Sequence, residues 1–333
     1  MELKQMAPSI HILWLLSIQF LVLVNGGKIP AIIVFGDSSV DSGNNNYIPT
    51  VARSNFQPYG RDFNGGRPTG RFSNGKITTD FISDAFSLKP AIPAYLDPSY
   101  SISDFATGVT FASAATGYDN ATSNVLEYYK NYQKKLRAYL GDRKANGVIS
   151  GALYLISVGT NDFLESYYAI PGRSSEYTIE EYENFLVGIA ASFTEKLYEL
   201  GARKISLGGL PPMGCMPLER TGNLMADFNG KLNALVIKQN KKFHGMQMVF
   251  SDPYGILLKM IQKPAVYGFE VTAVACCATG MFEMGYACSR RNPFTCSNAD
   301  KFVFWDSFHP TQKTCSIIAT YIVQNALAKF LSH

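Results

Sequence analysis

Ala31-Ile32-Ile33-Val34-Phe35-Gly36-Asp37-Ser38-Ser39-Val40-Asp41-Ser42-Gly43-Asn44-Asn45 begins with five apolar residues and then breaks into glycine, serine, aspartate and asparagine. A short apolar run bounded by turn residues reads as a strand buried on both faces. Ser38 stands just past its carboxyl end, where open parallel sheets bind their ligands. That makes it a candidate nucleophile on a turn that opens a helix. Asp-Ser-Gly-Asn is equally ordinary turn and cap vocabulary, so the assignment needs support from elsewhere in the chain.

Further strands are expected at Gly108–Ala112, Ala152–Val158, Lys204–Leu207 and Met246–Phe250, alongside the first at Ala31–Phe35. Amphipathic stretches at Ile179–Gly201 and Leu218–Gly245 separate the last three, and Gly201 falls where a helix stop is expected. Alternation of strand and helix argues for an α/β fold, a three-layer α/β/α sandwich on a five-stranded parallel sheet of flavodoxin-like kind. A last helix, Thr311–Leu331, would dock on one face. Two longer segments stand out, the Gly/Pro/Asn/Arg-rich 44–74 and the aromatic 162–177 with Phe163, Tyr167 and Tyr168. Long loops after strand ends often cover a site, so Asp162–Tyr177 and Met281–Arg291 are either pocket walls or plain loop packing.

Composition narrows the class. Charged residues make up 17% and apolar ones 47% of the 333 residues, a globular balance, and no Lys/Arg cluster concentrates the net charge of +4 into a nucleic-acid surface. Lys4, the apolar stretch Ile10–Val24 and the small pair Gly26-Gly27 have the pattern of a secretory signal peptide over residues 1–27, shorter than a membrane span requires. A single domain over 28–333 would follow, with no integral membrane span in the mature chain. Secretion changes the meaning of the six cysteines: four lie between Cys276 and Cys296 in a loop-like segment that would need stapling by disulfides, while Cys215 and Cys315 are expected free and buried. The spacing lacks a zinc pattern. Asn120-Ala121-Thr122 is a glycosylation sequon.

Of the four histidines, His11 falls in the signal and His333 is the last residue, leaving His244 and His309. His244 ends a helix, where the macrodipole favours a cation. His309 lies in Trp305-Asp306-Ser307-Phe308-His309-Pro310, with an acid three residues ahead that could hold its imidazole, and Pro310 keeping it out of the helical region. The strand Leu155–Val158 runs into Gly159-Thr160-Asn161-Asp162, so the Asn161 amide would reach the same sheet edge as Ser38, unless the pair is simply a helix cap. Gly117 ends another strand-to-turn transition, and a glycine there would let its N–H approach a substrate.

The order Ser, Gly, Asn, Asp/His resembles the SGNH hydrolase superfamily, and more narrowly the plant GDSL esterase/lipase family. The resemblance spans nearly all of the mature chain: Phe35-Gly36-Asp37-Ser38 through Asn45, Gly66-Arg67-Pro68-Thr69-Gly70-Arg71-Phe72-Ser73-Asn74-Gly75, Phe111-Ala112-Ser113, Gly159–Asp162, Gly209–Cys215, Cys276–Gly280 and Phe304–Pro310. It implies a secreted serine esterase or lipase of the cell wall or apoplast. Ser38 would be the nucleophile, His309 the base and Asp306 its orienter. An oxyanion hole would come from the Ser38 N–H, the Gly117 N–H and the Asn161 amide. No cofactor or metal is implied, and the partner is a small-molecule or lipid-like acyl ester. Ser39 stands where the family has leucine, and Ala115 where a glycine is frequent. An acyltransferase of the same fold and a catalytically silent binding protein are the competing readings.

Overall fold

The computed structural model describes residues 29–331 except 170–171, 218–224, 290 and 293. The expected signal peptide, residues 1–27 with His11, and the terminal His333 lie outside the described residues.

Five strands form one sheet: β1 Ile32–Gly36, β2 Gly108–Thr110, β3 Leu153–Ser157, β4 Lys204–Gly208 and β5 Gln247–Ser251. Their spatial order is β2-β1-β3-β4-β5 and every pairing is parallel. This is the flavodoxin-like order expected, with each strand within a residue or two of its expected place. Sheet order reverses direction between β1 and β3, and at that switch point the crevice outside the strand ends is the natural binding place.

The longer helices are α1 Thr78–Ala85, α2 Tyr118–Leu140, α3 Asp142–Gly151, α4 Ile179–Glu199, α5 Met225–Lys242, α6 Pro253–Gln262 and α7 Gln312–Ile322. Alternate residues of each strand face opposite layers. Phe35 of β1 packs against Tyr129 of α2 and Phe193 of α4. Leu155 and Ser157 of β3 face a cavity bounded by Thr78 and Ile82 of α1 and Ile318 of α7. β1 and β3 are nearly free of exposed surface, which is why they read as unbroken apolar runs rather than alternating ones, whereas β5 at the sheet edge exposes Gln247. Among the described residues no helix is long and apolar enough to cross a membrane.

Several expectations need correction. The last helix is not one regular element: α7 starts at the Thr311 cap, whose Oγ1 accepts the Thr314 N–H, and ends at Ile322, followed by a π turn Val323–Leu327 and a 3-10 turn Ala328–Phe330. His244 lies in the turn after α5, and the first part of that expected helix falls among residues outside the description. Asp162–Ala169 is a π-helical segment rather than a loop. Phe163 is fully buried against Tyr182 and Phe228, and Tyr167 stacks on Tyr182, so these two rings are core packing, while Tyr168 is exposed. Met281, Phe282 and Met284 are exposed. No described residue of either segment lines the two cavities beside the strand ends. The cysteine segment is stapled as expected, by Cys276–Cys296 and Cys277–Cys288, and Cys315 is free and buried, but Cys215 is exposed.

Candidate active site

Gly36 sets the turn that presents Ser38. A Cβ on Gly36 would lie 2.1 Å from the Ser157 carbonyl oxygen, so only glycine lets β1 leave the sheet so close to β3. The next amide, Asp37 N–H, still donates to that same carbonyl at 3.1 Å. The chain then turns up and delivers Ser38, 6% exposed, at the switch point. The asparagines that follow are buried hydrogen-bond hubs rather than turn-formers. Asn44 Nδ2 donates to the Thr110 and Ala112 carbonyls at 3.0 and 2.7 Å, and Asn45 Oδ1 accepts from Ser113 Oγ at 2.6 Å. They fasten the serine turn to the exit of β2.

His309 arrives from the other end of the chain. The Trp305 N–H donates to the His309 carbonyl at 2.7 Å, closing a tight loop in front of α7. Inside it, His309 Nδ1 lies 2.9 Å from both carboxylate oxygens of Asp306, and Asp306 Oδ1 also accepts the backbone N–H of Phe308 at 3.0 Å and of His309 at 2.7 Å. His309 Nε2 is 2.7 Å from Ser38 Oγ. An ionised carboxylate only accepts, so Nδ1 carries the proton and Nε2 accepts from the serine. Asp306 is fully buried and His309 3% exposed, so the interaction is weakly screened.

The segment 60–75 cradles both halves. Arg71, buried, makes a two-pronged pair with the fully buried Asp80 of α1, Nε to Oδ2 at 2.8 Å and Nη2 to Oδ1 at 2.9 Å, while its Nη1 donates to the Ser42 carbonyl at 3.3 Å. Phe72 packs on the His309 ring with centroids 4.9 Å apart. Ser73 Oγ donates to the Pro310 carbonyl at 3.1 Å, and Asn74 Oδ1 accepts the Gln312 N–H at 2.8 Å. One short stretch therefore touches the serine turn, the imidazole and the start of α7.

Asn161 and Gly117 come together on the neighbouring side. Thr116 Oγ1 and the Ser113 N–H both donate to the Gly36 carbonyl at 3.0 Å, tying segment 113–117 to the end of β1. Asn161 Nδ2 donates to the Thr116 carbonyl at 2.9 Å, which belongs to the same peptide unit as the Gly117 N–H. A Cβ on Gly117 would sit 2.5 Å from Asp162 Oδ1. Asp162 is indeed a cap, though for a remote helix: it accepts the Tyr118 and Asp119 N–H groups at 2.7 and 3.0 Å at the start of α2. Burial pushes its carboxyl up to about 7, against the lowering by those two amides. Ala115 takes a positive φ of 66°, where a side chain is strained. Asn120 lies in the first turn of α2, and its side chain is outside the described residues.

Asp37 was not singled out by the sequence, and Ser39 only as a departure from the pattern it resembles. Ser39 Oγ donates to Asp37 Oδ1 at 2.7 Å, and the Ser39 N–H does so at 2.9 Å. The Ser39 hydroxyl thus serves a buried acid whose carboxyl is raised by desolvation despite these bonds and the nearby His309. Tyr59 was missed as well. A tyrosine in a polar loop gives no local sign that it will end up buried beside Asp306, 247 residues away.

Two cavities flank the site. On the α2/α4 face a cavity of about 250 Å³ is walled by Phe35, Phe111, Tyr128 and Phe193, with Gly36 and Gly117 at its edge. A smaller one, about 130 Å³, lies between the sheet and α1, α6 and α7, with Asp37 and His309 among its walls.

Fold and site together have the build of a serine hydrolase: a parallel α/β sheet with a buried Ser-His-Asp chain at its topological switch. The chain belongs to the GDSL-like lipase/acylhydrolase family, whose model matches residues 32–322. It is 61% identical to the GDSL esterase/lipase At2g04570 of Arabidopsis thaliana, over 96% of this chain and 99% of that one. To the GDSL esterase/lipase At4g26790 of the same plant it is 55% identical, over 95% and 97%. Among solved structures it is similar to a catalytic mutant of an acetylxylan esterase from Geobacillus stearothermophilus, at 12% identity and a TM-score of 0.43 over 92% of this chain and 96% of that one. The protein is a carboxylic ester hydrolase of this family.

Proposed function

We propose that Ser38, His309 and Asp306 are a catalytic triad hydrolysing acyl esters. The observation that carries this is the unbroken chain from Ser38 Oγ to His309 Nε2 at 2.7 Å and from Nδ1 to Asp306 at 2.9 Å. A serine hydroxyl is a weak nucleophile at neutral pH and needs an adjacent base. Ser38 Oγ attacks the ester carbonyl carbon as its proton passes to His309 Nε2. Asp306 holds Nδ1–H and stabilises the imidazolium. The tetrahedral intermediate collapses, and His309 protonates the departing alkoxide. Water then attacks the acyl-serine with His309 again as base, releasing the acid and restoring Ser38.

The negative charge that develops on the carbonyl oxygen is met by the Ser38 N–H, the Gly117 N–H and the Asn161 amide. The acyl chain enters the aromatic cavity beside Gly36 and Gly117, which fits a lipid-like ester. The two disulfides support a secreted, extracellular setting, since such bonds persist where the surroundings are oxidising.

The test is an activated-serine probe followed by an ester series. A fluorophosphonate should label the wild-type protein and not Ser38→Ala, and p-nitrophenyl esters of graded acyl length should be turned over only by the former. Labelling that persists in Ser38→Ala would assign the nucleophile elsewhere. No labelling of the folded wild-type protein would leave the site a binding cleft.

A further inference from the structure

Resting on that reading of the triad, we infer that Tyr59 is a positioning residue for it, a fourth member that orients Asp306 and sets the basicity of His309. The Tyr59 hydroxyl donates to Asp306 Oδ2 at 2.7 Å. Its oxygen in turn accepts the Gly285 N–H at 2.9 Å. With that amide pointing at the oxygen, the single phenolic proton is directed to the carboxylate, which has none to give. Tyr59 has no exposed surface, and burial beside Asp306 holds its phenol far above the usual range, so the proton stays in place.

The ring cannot swing away. It lies edge-on to Phe56, Phe72 and Trp305, with centroids 5.7, 5.9 and 6.1 Å away, and Phe72 is the residue that also packs on His309. Gly285 is fixed too, because it lies within the loop closed by Cys277–Cys288. That loop is laced to the Asp306 segment: the Cys277 N–H donates to the Trp305 carbonyl at 2.7 Å and the Ser307 N–H to the Glu283 carbonyl at 3.0 Å. A donor held this rigidly has a chemical effect. It draws charge from Asp306 towards Oδ2 and lessens the pull of the carboxylate on the imidazolium.

The ionisable groups around this pair are few. Asp306 and Asp37 face the imidazole, Glu283 lies behind Ser307, and Arg61 stacks over Trp305 at 4.9 Å. Substitution of Tyr59 by phenylalanine leaves all of them in place and removes one O–H.

The experiment compares the full chain as wild type, as Tyr59→Phe and with 3-fluorotyrosine placed at position 59, measuring kcat and KM for p-nitrophenyl butyrate across pH. Tyr59→Phe should lower kcat about 10-fold with KM unchanged. It should also raise the acid limb of the kcat/KM profile by about half a unit. The fluorinated ring keeps the shape, is a stronger donor, and should shift the limb the other way. Packing alone would move neither limb. A folded Tyr59→Phe with wild-type kcat and an unmoved limb would overturn the inference. If that variant does not fold, an unmoved limb in the 3-fluorotyrosine protein overturns it instead. Failure of the underlying triad reading looks different: the wild-type protein would itself be silent to ester and fluorophosphonate.

Discussion

Arg71 and Asp80 face each other inside the protein with Nε 2.8 Å from Oδ2, at 5% and 0% exposure. Asp80 also accepts the Ile77 and Ile92 N–H groups at 3.1 and 2.9 Å, and Arg71 reaches the Ser42 and Ile92 carbonyls, so every prong of the pair is used. Removing one partner of such a pair leaves the other as an uncompensated buried charge. Asp80→Ala should therefore lower the unfolding free energy by about 3–5 kcal/mol. Urea unfolding checks this, and a loss below about 1 kcal/mol, the scale of an exposed pair, would contradict it.

Asn161→Ala removes a proposed donor to the oxyanion and the bond to the Thr116 carbonyl. Turnover should fall by about 10²–10³ with the fold retained, the scale of losing one oxyanion donor. Steady-state kinetics beside a circular dichroism spectrum would decide it. Turnover within a factor of a few of wild type would take Asn161 out of the mechanism.

Ala115 bears the strain at the turn leading to Gly117, with φ at 66°. A Cβ in the left-handed region costs about 1–2 kcal/mol, and glycine gives part of that back through the looser unfolded chain. Ala115→Gly should stabilise the protein by about 0.5–1 kcal/mol. A lower midpoint of denaturation in the variant would refute the strain argument.

Asp162 and Asp41 titrate within the working range. Burial lifts their carboxyls to about 7 and about 6, above the ordinary value of 3.8. A carboxyl raised on folding holds protons that the unfolded chain has released, so its contribution is fully present below the unfolded value and is lost as pH rises through the folded one. Wild-type stability should therefore decline relative to Asp162→Asn from about pH 4 to about pH 7 and then run parallel to it. Denaturation midpoints of both proteins across that range test the sign, and wild-type stability that rises with pH relative to the variant would be the wrong one.

The centre of the sheet was legible because β1 and β3 are buried on both faces and therefore write continuous apolar runs, Ile32–Phe35 and Leu153–Ile156. Ser38 and His309 were legible because each sits beside a local break in such a pattern. What stayed hidden was set by partners distant in the chain. Nothing near Tyr59 announces Asp306, and nothing in the aromatic run at Phe163 and Tyr167 tells a core from a pocket wall, since both are apolar and only tertiary packing separates them. Exposure of Cys215 was hidden for the same reason. The Asn161-Asp162 pair was read as a possible helix cap, and the helix Asp162 serves begins at Tyr118, earlier in the chain.

The order of parts along the chain has a consequence for biosynthesis. A ribosome finishes all five strands at Ser251 and emits Ser38 long before it reaches the codons for Asp306 and His309. On the proposed mechanism, a nascent polypeptide can thus carry an inert hydroxyl through translation, and esterolysis is switched on only when the last-made loop folds back over the first-made turn.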